Sequence, residues 1–321
     1  MKQFWREVGL AVVLGMIMPG VILHIVTYSS HQYVVREKPV TVTSPEEPDP
    51  IRISVLNQDG KTEEMELEEY LVGVVLAEMP ASFETEALKA QAVVARTYTL
   101  RAHNGKSKHE GAAVCMDSAC CQAYRSPESY LSAYGDYDAL EKVTAAVSDT
   151  KDYVLTYQGE LIDATYFSCS GGSTEDALAV WGTDIPYLQS VESPGEEDAA
   201  YYSDSMTFSV TELEELLGHS LGEDREGWFE NVTYTTGGGV DSVSIGGITY
   251  QGTQVRKLLG LRSTAFTVSI SGNEVTFYTR GFGHRVGMSQ YGADAMAVAG
   301  SSFDEILDHY YQGTVLQRYE N

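Results

Sequence analysis

Nineteen consecutive residues near the amino terminus, Val8 to Val26 (VGLAVVLGMIMPGVILHIV), carry no Asp, Glu, Lys or Arg. As a helix rising about 1.5 Å per residue, such a run spans roughly 29 Å, the thickness of a bilayer core. In lipid every backbone polar group must be satisfied within the segment, which a single run achieves only as a helix; Gly15, Pro19 and Gly20 are tolerable there. Lys2 and Arg6 precede the run, and Trp5 stands where an interfacial aromatic belongs. Residues 1–7 are therefore expected on the cytoplasmic side, residues 8–26 as a transmembrane anchor, and the remainder outside the cell membrane. A cleaved signal peptide is the competing reading. The run is long for one, and TYSSHQYVV after it offers no small-x-small cleavage pattern.

Residues 27–50 read as a stiff, charged tether, with Pro39, Pro45, Pro48 and Pro50 among Glu46, Glu47 and Asp49. The folded part, 51–321, opens on IRISVL, whose alternation and β-branching predict a strand. A helix is expected over 67–77, stopped by Pro80 because the residue before a proline leaves the α region. A second is expected from an N-cap at Ser82 to about His103, with Glu84 and Glu86 in its positive first turn. Residues 104–137 look like an inserted loop, 137–148 like a helix, and 152–167 like two strands turning at Gln158-Gly159. SCSGGST, 168–174, reads as a glycine loop before a short helix near Ala177, and the acidic stretch that opens 195–231 is loop-like. Strand patterns dominate from Val232 onward, and 288–311 is expected to return to helix. Helices first and strands later predict an α+β fold, not a doubly wound sheet.

The junction LAEMPASFETEALKAQAVVARTY raises a chemical question. Glu78 ends an apolar run just before Met79 and Pro80, where an ordinary glutamate is slightly unfavourable against the helix dipole. Held among apolar neighbours it has a raised pKa, as a general acid requires at neutral pH. The following helix carries small residues on most faces, as a helix packed on several sides must, and aligns Lys89 with Arg96 almost two turns on. Two cations on one line either bind anionic or hydroxyl-rich company or snorkel to water. Further on, RGFGHRVGMSQYGADAM surrounds His284 with Gly281, Gly283 and Gly287, then presents Ser289, Gln290 and Tyr291 at a helix start. These side chains suit sugar hydroxyls; the competing reading is a tight structural turn. No P-loop lysine or βαβ unit supports a nucleotide site. The 46 acidic against 21 basic residues, a formal net charge of −25, argue against a nucleic-acid surface.

His109, Cys115, Cys120 and Cys121 fall within thirteen residues of the insertion. Three thiols and an imidazole suit tetrahedral zinc. A disulfide from Cys115 to Cys120 or Cys121, or free thiols, are the alternatives outside the cytoplasm. A catalytic zinc centre is the remaining option, disfavoured because thiolate-rich sites clustered in one loop are closed and structural.

Three ordered motifs, AEMPASFETEALKAQAVVARTY, YFSCSGG and GFGHRVGMSQYGA, together resemble the stage II sporulation protein D family over residues 51–319. The resemblance implies a lytic transglycosylase that cleaves peptidoglycan glycan strands during engulfment, beside a sporulation wall amidase and a membrane anchor protein. It implies Glu78 as the essential acid and Lys89 and Arg96 as matching basic positions important in the family. On that mechanism Lys89 and Arg96 are expected to bind the glycan or tune Glu78, and His284, Ser289, Gln290 and Tyr291 to line the substrate groove. It implies a structural zinc held by His109, Cys115 and Cys121, with Cys120 standing where a second histidine can occur and no cofactor needed for catalysis. A non-catalytic, glycan-binding scaffold that recruits an amidase is the alternative function. Two residues depart from the pattern: Arg285 replaces a glycine in GHRVG, and Cys169 stands where Ser or Thr is usual.

Overall fold

A computed structural model describes residues 49–320. The predicted anchor and nearly all of the tether lie outside the described residues. Among the described residues no helix is long and apolar enough to cross a membrane. The folded unit is mixed α+β with a strand-rich carboxy-terminal half, as the pattern predicts.

β1 (Arg52–Leu56) buries Ile53 and Val55 and pairs antiparallel with β2 (Thr62–Glu66). Its other edge takes β3 (Val114–Cys115) in parallel, Val55 opposite Val114 and Leu56 opposite Cys115. α1 (Leu67–Glu78) follows β2 directly and buries Leu71, Val74 and Val75. It ends where expected. Met79 is extended (φ −121°, ψ 142°) ahead of Pro80, its N–H still bonded to Val75 O at 3.0 Å.

The next helix starts later than predicted. Pro80 to Phe83 forms a turn closed by Phe83 N–H donating to Pro80 O. Ser82 therefore caps nothing: α2 (Thr85–Arg101) has Glu84 at its N-cap, and Glu84 N–H donates to Asp294 Oδ1 at 2.7 Å. α2 is the hub of the molecule. Ala87, Ala90, Ala92 and Ala95 are fully buried, and these short side chains let α1, α4 (Tyr137–Asp149, after α3 at Pro127–Tyr134), strand β4 (Tyr153–Tyr157) and two later helices pack around it. A methylene added at such a contact costs about 1–3 kcal/mol. β4 turns through Gln158 and Gly159, both at positive φ, into the short β5 (Glu160–Leu161), as predicted.

β6 (Tyr166–Phe167) leads into the glycine loop and α5 (Ala177–Trp181). The region 195–231, whose acidic opening reads as loop, contains β7 (Ser203–Ser209) and α6 (Val210–Leu217), the latter opened by a Ser209–Glu212 capping box. β8 (Phe229–Tyr234), β9 (Val240–Ile245) and β10 (Ile248–Gln251) form an antiparallel meander, followed by α7 (Gly252–Leu259). β11 (Ala265–Ser271) and β12 (Glu274–Arg280) pair antiparallel, and β12 also pairs with β7. These strands and helices enclose a second core around Trp228, Val243, Val255 and Phe277, apart from the larger core around α2.

β13 (Met288–Ser289) runs parallel to β6 and aims the chain into α8 (Gln290–Val298). The predicted continuous helix over 288–311 is interrupted. α8 stops at Ala299, Gly300 takes φ 101°, and a Ser302–Glu305 capping box starts α9 (Phe303–Tyr310). β14 (Val315–Arg318) returns beside β4.

Candidate functional site

Three pieces of chain distant in sequence converge on Glu78. The end of α1 supplies the carboxyl. Ala123, from the insertion, donates its N–H to Oε1 at 2.6 Å, and Gln290 at the start of α8 reaches Oε2 through Nε2 at 3.4 Å. The buried Tyr166 hydroxyl also acts on the carboxyl, though without a hydrogen bond of normal geometry. Burial raises the Glu78 pKa above the ordinary glutamate value, while Ala123, Tyr166 and Gln290 oppose the rise by favouring the anion.

Glu78 opens into a cleft of about 480 Å³ whose walls include Phe83, Arg125, Tyr130, Tyr134, Tyr201 and Tyr291. It is the one carboxyl lining that cleft among the described residues. A larger groove, about 1020 Å³, runs beside Tyr157, Tyr187 and Arg318, but its carboxylates, Glu160 and Glu320, are exposed. The Glu78 cleft is therefore the better candidate for acid–base chemistry.

The predicted residues divide sharply. Glu78, Gln290 and Tyr291 share the cleft, with Tyr291 packed edge-on against Phe83 at 5.0 Å. Ser289 is buried beneath it as the N-cap of α8, accepting from Gly292 N–H. His284 does not line the cleft. It sits half-buried between the Phe167 and Trp181 rings, its Nδ1 accepting from Val286 N–H at 3.1 Å. Burial, reinforced by the Arg256 charge, lowers its pKa to about 4, so it is neutral near pH 7.

Lys89 and Arg96 also stand outside the cleft wall. Lys89 pairs with Glu86 at 3.0 Å and Asp149 at 3.3 Å. Arg96 is fully buried and all five of its N–H groups are engaged. Nε and Nη2 form a fork on Glu68, and the remaining donors reach the carbonyls of Val147, Thr150 and Tyr153. The seven-residue spacing did align the two cations; their partners are protein carboxylates and carbonyls. Arg96 ties α2 to α1 and to the turn between α4 and β4.

Arg125, Tyr130 and Tyr134 were missed because the insertion reads as a loop. The signal was present: Ser126, Pro127 and Gly135 are the N-cap, first-turn proline and left-handed C-terminal glycine of α3. That helix carries Tyr130 and Tyr134, and Arg125 Nη1 donates to the Tyr134 hydroxyl at 2.7 Å.

His109, Cys115, Cys120 and Cys121 form a cluster whose ligand atoms all lie within 4.8 Å of one another. All four cysteines are free thiols. His109 Nε2 lies 3.3 Å from Cys121 Sγ and 3.6 Å from Cys120 Sγ, and the two sulfurs are 4.0 Å apart. One ion could be held among them. Cys120 and Cys121 both donate their N–H to Asp117 O, and the chain then passes Gln122, bonded to Thr99 Oγ1, to reach Ala123 against Glu78. The cluster thus immediately precedes the segment that holds the carboxyl. Tyr124 beyond it stacks on Tyr70 and lies so close over Gly73 that a side chain there would collide with its ring.

The two departures from the family motif also have partners. Arg285 adopts φ 64°, the left-handed conformation that a glycine takes without strain. Its buried guanidinium pairs with the buried Glu175 at 3.1 Å and donates to Ser170 O, Ser173 O and Gly237 O. It thereby clamps the glycine loop to the turn ahead of β9. Cys169 donates through Sγ to the buried Glu196 at 2.9 Å, the part a serine hydroxyl would play.

Fold and cleft define an α+β protein with one half-buried carboxyl in an aromatic-walled cleft. The stage II sporulation protein family model matches residues 57–157. Stage II sporulation protein D of Bacillus amyloliquefaciens is 42% identical over 270 residues, covering 82% of this chain and 78% of that protein. That of Bacillus subtilis is 41% identical over 271 residues, covering 83% and 78%. The chain belongs to the stage II sporulation protein D family. A Bacillus subtilis protein named amidase enhancer is 29% identical over 302 residues, which is 78% of this chain and 40% of that one.

Proposed function

We propose that this protein cleaves peptidoglycan glycan strands between N-acetylmuramic acid and N-acetylglucosamine by lytic transglycosylation, during engulfment in sporulation. The observation that carries the reading is the single carboxyl of the cleft, with its raised pKa. Ordinary glycosidases need two carboxyl groups, one to protonate the leaving oxygen and one to serve water or attack carbon. A substrate that supplies its own nucleophile needs one. Protonated Glu78 donates to the glycosidic oxygen as the C1–O bond breaks. The resulting carboxylate takes the proton of the N-acetylmuramic acid 6-hydroxyl as O6 closes on C1, giving a 1,6-anhydro end without consuming water. Proximity of that hydroxyl replaces the second protein group. Ala123 N–H and the Gln290 amide steady the anion between the two transfers.

Zinc is the ion we assign to the His/Cys cluster. Zn–S near 2.3 Å and Zn–N near 2.0 Å in a tetrahedron give ligand separations of ~3.5–3.8 Å; those among His109, Cys120 and Cys121 are 3.3, 3.6 and 4.0 Å, and all four ligand atoms lie within 4.8 Å, so a small inward shift completes the site. With four protein ligands such a site is closed, and its contribution is to fix the segment carrying Ala123. A single-pass anchor over 8–26 would hold the domain at the outer face of the membrane, within reach of the wall.

The likeness to an amidase enhancer favours a second role, in which the chain grips the strand and aids a wall amidase. Mass spectrometry of peptide-stripped glycan after incubation with the protein separates the readings. Anhydromuramic ends are expected from the transglycosylase; strand binding with no new ends would leave the scaffold alone.

A further inference from the structure

The aromatic lining of the Glu78 cleft continues beyond it. Tyr201, part of the cleft wall, meets Tyr291 at 6.2 Å on one side and Phe282 at 5.4 Å on the other. The Arg262 guanidinium lies over both outer rings, 5.3 Å from Tyr201 and 5.5 Å from Phe282. Tyr201 is 40% exposed and Phe282 38%, and neither belongs to the two hydrophobic cores. Packing therefore does not account for three side chains assembled at the surface.

The assembly is held in place from below. Phe282 N–H donates to Cys169 O at 2.7 Å, Cys169 N–H returns to Phe282 O at 3.2 Å, and Gly283 N–H donates to Arg262 O at 3.1 Å. Arg262 Nε faces Asp204 Oδ2 at 2.8 Å, which orients the fork. Its two terminal nitrogens donate to no group among the described residues. Arg125 stacked over Tyr134 at 5.2 Å forms a comparable pair within the cleft itself.

We propose that Arg262, Tyr201 and Phe282 form an outlying subsite for the same glycan strand, holding a sugar unit beyond those that flank Glu78. The proposal rests on the reading of the Glu78 cleft as a glycan site. Continuity through Tyr201 selects the strand as occupant. A pyranose presents a C–H face that packs on the aromatic rings, and its acetamido or lactyl oxygens accept from the free N–H groups of Arg262. In a chain of formal charge −25, a pre-oriented arginine with open donors is also a local exception that suits the lactyl carboxylate.

The test is calorimetric binding of peptide-stripped strands to the full chain carrying Glu78→Gln, which removes turnover from the readout. Two further variants, Phe282→Ala and Arg262→Lys, are compared on that background, with thermal unfolding confirming the fold. Arg262→Lys keeps the charge facing Asp204 and removes the stacked fork. Each is expected to weaken binding of long strands about tenfold while leaving a tetrasaccharide unchanged. Equal weakening for both lengths, or none for either, overturns the subsite, whatever else covers the patch. Length-selective weakening in a protein whose wild type forms no anhydro ends would refute the reaction and keep the subsite. No binding of any strand would refute both.

Discussion

Replacing Arg96 by methionine tests whether this cation serves the fold or the substrate. The side chain is fully buried, and its five N–H groups are used by Glu68, Val147, Thr150 and Tyr153. Methionine fills much of the stem's volume and supplies none of the donors. Glu68, three-quarters buried, would lose its bidentate partner, and three carbonyls at the junction of α4 and β4 would lose an arginine donor, although Thr150 O keeps the Tyr153 N–H and Val147 O keeps the Thr150 hydroxyl. Breaking a buried pair by removing one member costs about 3–5 kcal/mol. At roughly 2–4 °C per kcal/mol for a domain of this size, the midpoint of thermal unfolding should fall on the order of 10 °C. Lys89→Met is the control: its partners are more exposed, and its loss should cost no more than about 1 kcal/mol. The assay is thermal unfolding together with glycan binding of the folded protein well below either midpoint. Arg96→Met should melt early and still bind glycan normally. An unchanged midpoint with weakened binding would refute the structural role and return Arg96 to the substrate.

Three other outcomes follow from the same geometry. The reaction needs Glu78 protonated at the start, so activity should fall as pH rises through its raised pKa; stability contributed by the uncharged buried carboxyl is lost over the same rise, and Glu78→Gln should remove that dependence from pH-resolved unfolding curves. Removing metal with a chelator, followed by elemental analysis and thermal unfolding, should release about one zinc per chain and lower the midpoint, because the cluster anchors the segment from Asp117 to Ala123. Arg285→Gly relieves a left-handed φ worth about 1–2 kcal/mol but strands the buried Glu175, so denaturant unfolding should show a net loss of roughly 2–3 kcal/mol.

Much of the helical half was legible because its signals are local. Pro80 dictates the end of α1, and the alanines of α2 announce close packing on several sides. The strands after Val232 showed their alternation, and Gln158-Gly159 its turn. What failed depended on partners brought from afar. Ser82 has the chemistry of an N-cap, yet the turn from Pro80 to Phe83 displaces the helix start, and Asp294 from α8 satisfies Glu84 N–H instead. Lys89 and Arg96 share a helix line, but no spacing reveals that Glu68, Asp149 and three carbonyls absorb them. Arg285 departs from a glycine motif, and its partners Glu175 and Gly237 lie too far away in sequence for the motif to reveal them. Tyr130 and Tyr134 were hidden because they come from an irregular insertion, where periodicity is short and the caps of α3 were the only clue.

The most direct measurement of the central claim is the end-group analysis of peptide-stripped glycan treated with wild-type protein and with Glu78→Gln, both verified as folded. Wild type should generate 1,6-anhydromuramic ends and the glutamine variant none, while still binding the strand. Anhydro ends from Glu78→Gln at the wild-type rate, or ordinary reducing ends from the wild type, would contradict the account.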